Sequence, residues 1–451
     1  MSGSSGARRG PRNHRLNSGR LVRPAVIALA GLMVLATASV VVASVGLPIA
    51  PSHSVLVVDG DGRASAANCG ARTPAFTTIQ SAIDAAGGDA TIRVCPGVYA
   101  ESLVIAGDRL HGLTLVSTRL FAARIRPVGT RAIAVRGVVG VTISGFGIRP
   151  RGRVDAAGTC HPVTDAVLLR DAGATLLRDR FFGDSRCGVE TGLEMRSSVA
   201  LVQRSVFRDV LQDGVAIVDG SRGAVLDSIF RDDFAGRRLA LPGNQPGSDT
   251  TAVRVEGAGA AIRRNLIVGT IGDPAWSLAE GVRARDSAVV VARNQVNGTR
   301  SAGIDVECST VSCGGATTAQ RAPGPAEPAP GAATTPASAA AATTPAPASA
   351  AIVIRGNKVS QSGWGGGPAR AGIRLVAVSG ALVRNNFLAQ DGAGFAVDAR
   401  SRGNRIEGNT AWHSAGWDCR DASHGTGTGG TANAWINDAG MKDLPTAICA
   451  G

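Results

Sequence analysis

IRRNLI (residues 262–267), VARNQV (291–296), IRGNKV (354–359) and VRNNFL (383–388) are four copies of one short pattern. Each copy has an apolar residue, two variable residues, a small polar residue, and a second apolar position two residues further on. The same pattern occurs in LLRDRF (176–181), VQRSVF (202–207), VLDSIF (225–230) and IEGNTA (406–411). The small polar residues of these copies are Asp179, Ser205, Ser228, Asn265, Asn294, Asn357, Asn386 and Asn409.

A second short unit begins with a small residue and alternates between apolar and polar positions. Its copies are GLEM (192–195), GVAI (214–217), AVRV (252–255), GVRA (281–284), GIDV (303–306), GIRL (372–375) and GFAV (394–397). Neighbouring copies such as Gly192 and Gly214, or Gly281 and Gly303, are about 22 residues apart, a period typical of stacked repeats. Short alternating runs predict strands, and three strands with three turns fill one such period.

These two units together predict a coiled chain of parallel strands. Strands of successive coils pair about 4.8 Å apart, so a residue that recurs at one turn forms a column. Asparagine suits such a column because its amide donates to one neighbour and accepts from the next. We therefore expect an all-β, right-handed parallel β-helix of about eleven coils between Thr91 and Trp412. A β-sandwich or propeller has similar short strands but gives no reason for the polar column.

Two further segments carry a family resemblance. FTTIQSAIDAAGGDATIRVCPGVYAES (76–102) resembles the entry of the pectate-lyase-like right-handed β-helix superfamily, where a short amphipathic helix caps the first coil. The tail at 417–449 is similar to the C-terminal end of exported bacterial β-helix proteins that mostly lack an assigned activity. The resemblance covers residues 55–451 and predicts a cap helix near Ile79 to Ala86. It implies little about function, because this scaffold hosts lyases, hydrolases, esterases, epimerases and binding modules.

The N-terminus predicts export. Six of the 47 basic residues and none of the 34 acidic ones lie in residues 1–50, so residues 1–23 form a basic segment expected to stay cytoplasmic. Residues 24–50 are predicted to be a transmembrane anchor or a signal peptide, since the apolar stretch from Ala25 to Leu47 is long enough to span a bilayer. Cleavage after Ala38 or Ala43 is the alternative, and would make the β-helix secreted rather than membrane-anchored.

Eight cysteines in an exported chain indicate disulfides. The positions of the cysteines in the coils predict Cys69–Cys95, Cys160–Cys187, Cys308–Cys313 and Cys419–Cys449. A metal site at Cys308 and Cys313 with His161 or His424 is the alternative. Residues 316–350 are almost entirely Ala, Thr, Pro and Ser, and are predicted to be a disordered insertion within one coil.

A solvent-facing row of charged residues is the candidate binding surface. Period-two alternation points the following side chains outward on stacked strands: Glu194, Arg196, Arg254, Glu256, Arg283, Arg285, Asp305, Glu307, Arg374 and Asp398. Trp276 and Trp364 lie in adjacent loops and could stack on sugar rings, and the arginines of this face suit an acidic polysaccharide. Polar residues face solvent on any soluble sheet, and cross-strand ion pairs explain the same pattern without a ligand.

Motifs of the best-known enzymes on this scaffold are missing from the sequence. The paired aspartates of polygalacturonases, the Arg-Pro-Trp segment of pectin methylesterases and the Asp-Pro-His-Asp motif of alginate epimerases are all absent. We therefore expect an exported protein that binds extracellular or cell-envelope carbohydrate without catalysis. A polysaccharide lyase or another polysaccharide-active enzyme is the first alternative, with Arg283 or Arg285 as base or charge stabiliser and Asp305 and Glu307 as ligands. A structural cell-envelope protein is the second.

Other partners are limited by composition. A single tyrosine, and arginines mixed with acidic residues, argue against nucleic acid as a partner. No cofactor is expected, and calcium at Asp232 and Asp233 is the alternative to an ordinary solvated loop.

Overall fold

The computed structural model describes residues 54–184, 187–231, 250–270, 278–309, 313, 352–364 and 370–449. They belong to one compact unit that runs from His53 to Gly451. The predictions made for residues 1–50 and 316–350, and those for Trp276, Asp232 and Asp233, lie outside the described residues. Within the described ranges, no helix has the length and apolar character needed to cross a membrane.

The described chain winds through three long parallel sheets, numbered here in the order in which each coil visits them. The strands of sheet 1 are Leu103–Ala106, Arg131–Arg136, Val163–Arg170, Val189–Arg196, Asp213–Val218, Thr251–Glu256, Glu280–Arg285, Ala302–Glu307, Ala371–Val376, Phe395–Val397, Cys419–Asp421 and Asp443–Leu444. The strands of sheet 2 are Val55–Val58, Thr91–Val94, Thr114–Ser117, Val141–Ser144, Gly173–Leu177, Val199–Gln203, Arg222–Leu226, Gly259–Arg263, Ala288–Ala292, Val353–Arg355, Leu382–Arg384, Arg405–Glu407 and Ala434–Ile436.

Sheet 3 completes each coil. Its strands are Gly97–Tyr99, Ala123–Ile125, Gly147–Ile148, Arg180–Phe182, Val206–Arg208, Ile229–Arg231, Leu266–Val268, Gln295–Asn297, Lys358–Ser360, Phe387–Ala389 and Thr410–Trp412. Outside the three sheets lie an antiparallel pair, Arg153–Val154 with Cys160–His161, and short 3₁₀ turns at Asp108–Leu110 and Thr428–Gly430. Parallel crossovers of this kind are right-handed, and the eleven described strands of sheet 3 match the predicted number of coils.

A short helix, Ile79–Ala85, closes the N-terminal end of the coil. Thr78 caps it by accepting a hydrogen bond from the Ser81 amide, and the Glu101 carboxylate accepts from the first helical amides at 2.9 Å. The helix buries Ile79 and Ile83 against the first strands. The predicted cap helix is therefore confirmed.

The polar residues of the repeat form one continuous column in the turn between sheets 2 and 3. Each of the asparagines from Asn265 to Asn386 accepts from the backbone amide of the preceding member and donates to the side-chain oxygen of the next, at 2.9–3.0 Å. Asp179, Ser205 and Ser228 extend the column in one direction. In the other direction the column ends at Asp438, whose carboxylate accepts hydrogen bonds from the backbone and side-chain amides of Asn409. A carboxylate has no N–H donor of its own, so it needs no further acceptor beyond it. The predicted column is confirmed.

The interior is a stack of apolar side chains in register. The predicted inward residues of sheet 1 pair directly with one another on successive strands and are at most 1% exposed; they are Leu193, Val215, Val253, Val282, Ile304, Ile373 and Phe395. Inside sheet 3, the rings of Phe181, Phe207 and Phe230 stack face to face with centroids 4.4 and 4.9 Å apart. The strand register predicted from the sequence is therefore correct.

All four predicted disulfides are present. The Cα–Cα distances are 5.7 Å for Cys69–Cys95, 5.4 Å for Cys160–Cys187, 5.7 Å for Cys308–Cys313 and 6.3 Å for Cys419–Cys449. The disulfide between Cys308 and Cys313 replaces the alternative of a metal site there, because a bonded sulfur is no thiolate ligand. Four disulfides indicate a protein that folds in an oxidising compartment, in agreement with export.

Candidate functional site

The outer face of sheet 1 carries the charged residues predicted from the sequence, in two rows that run across the strands. The row here called row 2 reads Leu168, Glu194, Ala216, Arg254, Arg283, Asp305 and Arg374 on successive strands. Row 3, two residues further along each strand, reads Arg170, Arg196, Val218, Glu256, Arg285, Glu307 and Val376. The structure therefore brings all nine strand residues of the predicted face together.

A further row at the start of the strands was missed. Row 1 reads Arg131, Asp165, Thr191, Asp213, Thr251 and Glu280. Strict alternation would point Asp213 inward, yet its carboxylate meets Arg254 on the outer face. Gly214 breaks the alternation: a Cβ there would lie 2.6 Å from the ring of Phe230, so the glycine and the following Val215 both face the core. The signal in the sequence was a polar residue directly before the small residue of four copies of the second unit: Thr191, Asp213, Thr251 and Glu280.

Each arginine of row 2 lies against a carboxylate. The Arg254 Nε donates to Asp213 Oδ2 and its Nη1 to Glu256 Oε2, both at 2.9 Å. The Arg374 Nη1 donates to Asp305 Oδ2 at 2.9 Å. Arg283 Nε is 3.6 Å from Glu280 Oε2.

Similar pairs continue beyond row 2. In row 3, Arg285 Nη2 donates to Glu307 Oε2 at 3.0 Å. Arg196 donates to the Glu194 carboxylate on the same strand. The face is therefore a lattice of opposite charges rather than a cationic strip.

The deepest carboxyls of this lattice hold protons more tightly than usual. Burial raises the pKa of Asp213 to about 6, against the opposing charge of Arg254. Burial also raises the pKa of Asp165 to about 6, although Arg131 donates to it at 2.8 Å. The pKa of Asp305 is raised by burial as well.

The negative charge of the neighbouring Glu194 adds to the rise in the pKa of Asp165 that burial causes. Glu194 extends from row 2 towards solvent with 12% of its side chain exposed, whereas Asp165 is 2% exposed. The pair therefore places a buried carboxyl group beneath a partly exposed one.

Three predicted site residues differ from expectation. Asp305 points outward but is only 1% exposed, because the guanidinium of Arg374 lies against it. Asp398 follows the end of its strand and accepts from the Ala377 amide and the Ser401 hydroxyl, so it stabilises a turn. Trp364 is half-buried rather than exposed, and stacking on a sugar stays a prediction.

Stability should fall as pH rises from 4 to 7. A raised pKa means that the folded state binds the proton more tightly than the unfolded chain, so the stabilisation is complete below pH 3.8 and is lost as pH rises through about 6. Each of Asp165 and Asp213 accounts for up to about 3 kcal/mol of this loss. Calorimetric melting temperatures across this range should decrease, and Asp213→Asn should flatten the decrease. Asp219→Asn, at an exposed carboxylate, should behave like the wild type. A melting temperature that rises from pH 4 to 7 would refute this account.

Within the described residues, one group of side chains is close enough to hold a metal ion: Asp59, Cys69 and Cys95. Both of its sulfurs belong to a disulfide, so the group offers no thiolate. Calcium near Asp232 and Asp233 stays a prediction.

No protein-family model and no curated protein matches the chain. Among solved structures, the chain is similar to the A-module of an Azotobacter vinelandii mannuronan C-5 epimerase, with 14% identity, a TM-score of 0.44, and coverage of 81% of this chain and 91% of that one. It is also similar to the enzymatically active domain of bacteriophage CBA120 tailspike protein 2, with 11% identity, a TM-score of 0.46, and coverage of 75% and 46%.

A third similar structure is the catalytic unit of an α-1,3-glucanase from Streptomyces thermodiastaticus, with 12% identity, a TM-score of 0.44, and coverage of 82% and 63%. The three parallel sheets confirm the predicted right-handed parallel β-helix. Function must be argued from the residues of this chain.

Proposed function

We propose that the protein is exported and binds an extracellular or cell-envelope polysaccharide along the outer face of sheet 1. The observation that supports this most is the lattice of arginines and carboxylates in rows 1 to 3, which Ala216 and Val218 interrupt on one strand. It extends over seven strands from Val163–Arg170 to Ala371–Val376, or about 29 Å. A face of this length suits an extended polymer better than a small molecule.

The lattice is preorganised for hydrogen bonding to sugar hydroxyls. Guanidinium and carboxylate groups offer paired donors and acceptors in a plane, and both Arg285 (39% exposed) and Glu307 (28% exposed) are accessible. Their ion pair already restricts both side chains, so a ligand meets groups that lose little further rotamer freedom.

Charge balance indicates the kind of polysaccharide. The arginines alone suggested an acidic polymer, but in the structure Arg254, Arg285 and Arg374 are each neutralised by a carboxylate. An acidic chain would meet Glu256 and Glu307 as well as the arginines. We therefore favour an uncharged polysaccharide for sheet 1.

The positions of the carboxyls with raised pKa favour binding over catalysis. A general acid must reach the bond that it protonates. Asp165, Asp213 and Asp305, the carboxyls of rows 1 and 2 with raised pKa, have only 2%, 6% and 1% of their side chains exposed. The more accessible carboxylates of rows 2 and 3, Glu194, Glu256 and Glu307, are instead ion-paired, as a binding surface requires.

Affinity electrophoresis of the full-length protein in gels containing dextran, galactomannan or arabinoxylan tests the proposal. At least one of these should retard the wild type. The double variant Arg285→Gln, Glu307→Gln should weaken that binding at least about tenfold, because it removes the exposed ion pair while keeping the side chains polar. A neutral pair of amides also leaves no unpaired charge behind, so the melting temperature should change little.

The matched control is an ion pair elsewhere on the coil. Arg264 and Asp227 bond at 2.6 Å in the turn between sheets 2 and 3, and Arg264→Gln, Asp227→Asn should retain wild-type affinity. Equal losses in both double variants, or no retardation by any of the three polymers, would refute the proposal. Release of reducing ends by the wild type would replace binding with catalysis.

A further inference from the structure

A second charged surface lies on the outer face of sheet 3, away from the proposed polysaccharide site. Arg124 and Arg180 occupy the same outward row, with Gly147 on the strand between them. Arg126 and Arg149 follow directly after the strands Ala123–Ile125 and Gly147–Ile148, and their amides continue the same hydrogen-bond ladder. These four arginines, contributed by three successive coils, are called the arginine patch below.

Two phenylalanine rings hold the guanidinium groups in place. The guanidinium of Arg180 lies 4.5 Å from the ring centroid of Phe121 and 5.2 Å from that of Phe182. The guanidinium of Arg149 lies 4.7 Å from the centroid of Phe182. Stacking on an aromatic face uses the flat side of the guanidinium and leaves its N–H edge free to meet an anion.

The arginine patch lacks the carboxylates that neutralise sheet 1. Among the described residues, none of its four guanidinium groups forms an ion pair, and the Nε of Arg180 is covered without an acceptor. The charges are close enough to oppose one another. The pKa of Arg149 is lowered first by burial and then by the positive charges of Arg124, Arg126 and Arg180. A ligand with several negative charges would relieve this repulsion.

We propose that the arginine patch is a second binding site that takes an acidic polysaccharide carrying carboxylate or sulfate groups. The faces of Phe121 and Phe182 are already covered by guanidinium groups, so they are not open for the base stacking that single-stranded nucleic acid requires. Both rings are only half-exposed and flank charged groups, which does not suit insertion into a membrane. Edge-on guanidinium groups at the spacing of successive coils suit a polymer with repeated anionic groups.

Affinity electrophoresis of the full-length protein with polygalacturonate and with dextran sulfate tests this site, with uncharged dextran as reference. Arg126→Gln, Arg149→Gln should weaken binding to at least one acidic polymer about tenfold or more and should reduce its dependence on salt. The matched control, Arg293→Gln, Arg355→Gln, removes the same two charges from exposed positions near sheet 2 and should remain within about twofold of the wild type. Circular dichroism should show both variants folded.

Three results would overturn the proposal. One is an equal loss in both double variants, which would mean that net charge alone drives retention. Another is wild-type retention that is no stronger on the acidic polymers than on dextran. The third is retention of single-stranded DNA or phosphatidylglycerol vesicles that depends on Arg126 and Arg149 when retention of the acidic polymers does not. The sheet 1 variant Arg285→Gln, Glu307→Gln should bind the acidic polymers like the wild type. The proposals for sheet 1 and for the arginine patch can therefore be refuted independently.

Discussion

Asn294→Ala should lower the free energy of unfolding by about 3–6 kcal/mol, an effect expected only when several buried polar groups lose their partners at once. The Asn294 side chain is buried and accepts from both the backbone and side-chain amides of Asn265. It also donates to the carbonyl oxygen of Ile262 and the side-chain oxygen of Asn357. Alanine would leave two donors and a carbonyl without partners, at about 1–3 kcal/mol each.

Two variants isolate this effect. Gln295→Ala changes the adjacent residue, which is exposed, and should alter stability by less than about 0.5 kcal/mol. Asn294→Ser should be milder than alanine, since Ser205 and Ser228 show that a hydroxyl can accept from the preceding amide in this column. Equilibrium denaturation followed by far-ultraviolet circular dichroism measures all three. If Asn294→Ala were no more destabilising than Gln295→Ala, the column would not stabilise the fold.

The second large effect is expected from the aromatic stack. Phe207→Ala should cost about 3–5 kcal/mol, because it removes a fully packed ring and leaves a cavity in a narrow interior. Phe207 lies between Phe181 and Phe230, nearly parallel to both, and its ring fills the space against Gly192. The coil cannot collapse readily into the gap, since the strands above and below fix its height.

Phe387→Ala is the matched control, because it removes the same side chain from a sheet 3 position that is 46% exposed. Its cost should be below about 1 kcal/mol. Thermal or denaturant unfolding of Phe207→Ala and Phe387→Ala measures how much stability each variant loses. Similar losses at Phe207 and Phe387 would contradict the inward assignment of the stack.

Much of the fold could be predicted because the repeat supplies several copies of each position along the coil. The polar residue of each copy identifies one turn, so Asn265, Asn294 and Asn357 had to align once the coils were stacked. Alternation within the second unit then fixed the inward set from Leu193 to Phe395. Cys160 and Cys187 were placed at the same turn of successive coils, which allowed their pairing to be predicted.

The site was less predictable, because its chemistry depends on contacts between coils. Alternation failed at Asp213 because Gly214 adds an extra inward position. The sequence pattern did not show that the alternation breaks at this residue. It also could not show that Arg374 covers Asp305. Whether an arginine on a stacked sheet is neutralised depends on side-chain reach across coils, which is why the arginines of sheet 1 were first interpreted as a site for acidic polymers.

The arginine patch was hidden for a related reason. Arg124, Arg149 and Arg180 are far apart in sequence. Residues 109–154 hold nine arginines and no acidic residue, but the sequence alone does not show which of these arginines share a face. Only the strand register and the two phenylalanine rings bring them together.

The central claim, that sheet 1 binds polysaccharide, is tested most directly by a crystal structure of the full-length protein with an oligosaccharide of the polymer that retards it. The account predicts sugar density along the outer face of sheet 1, with hydrogen bonds to Arg254, Arg285 or Glu307. Density for that oligosaccharide on sheet 2 or sheet 3, with sheet 1 bare, would contradict it.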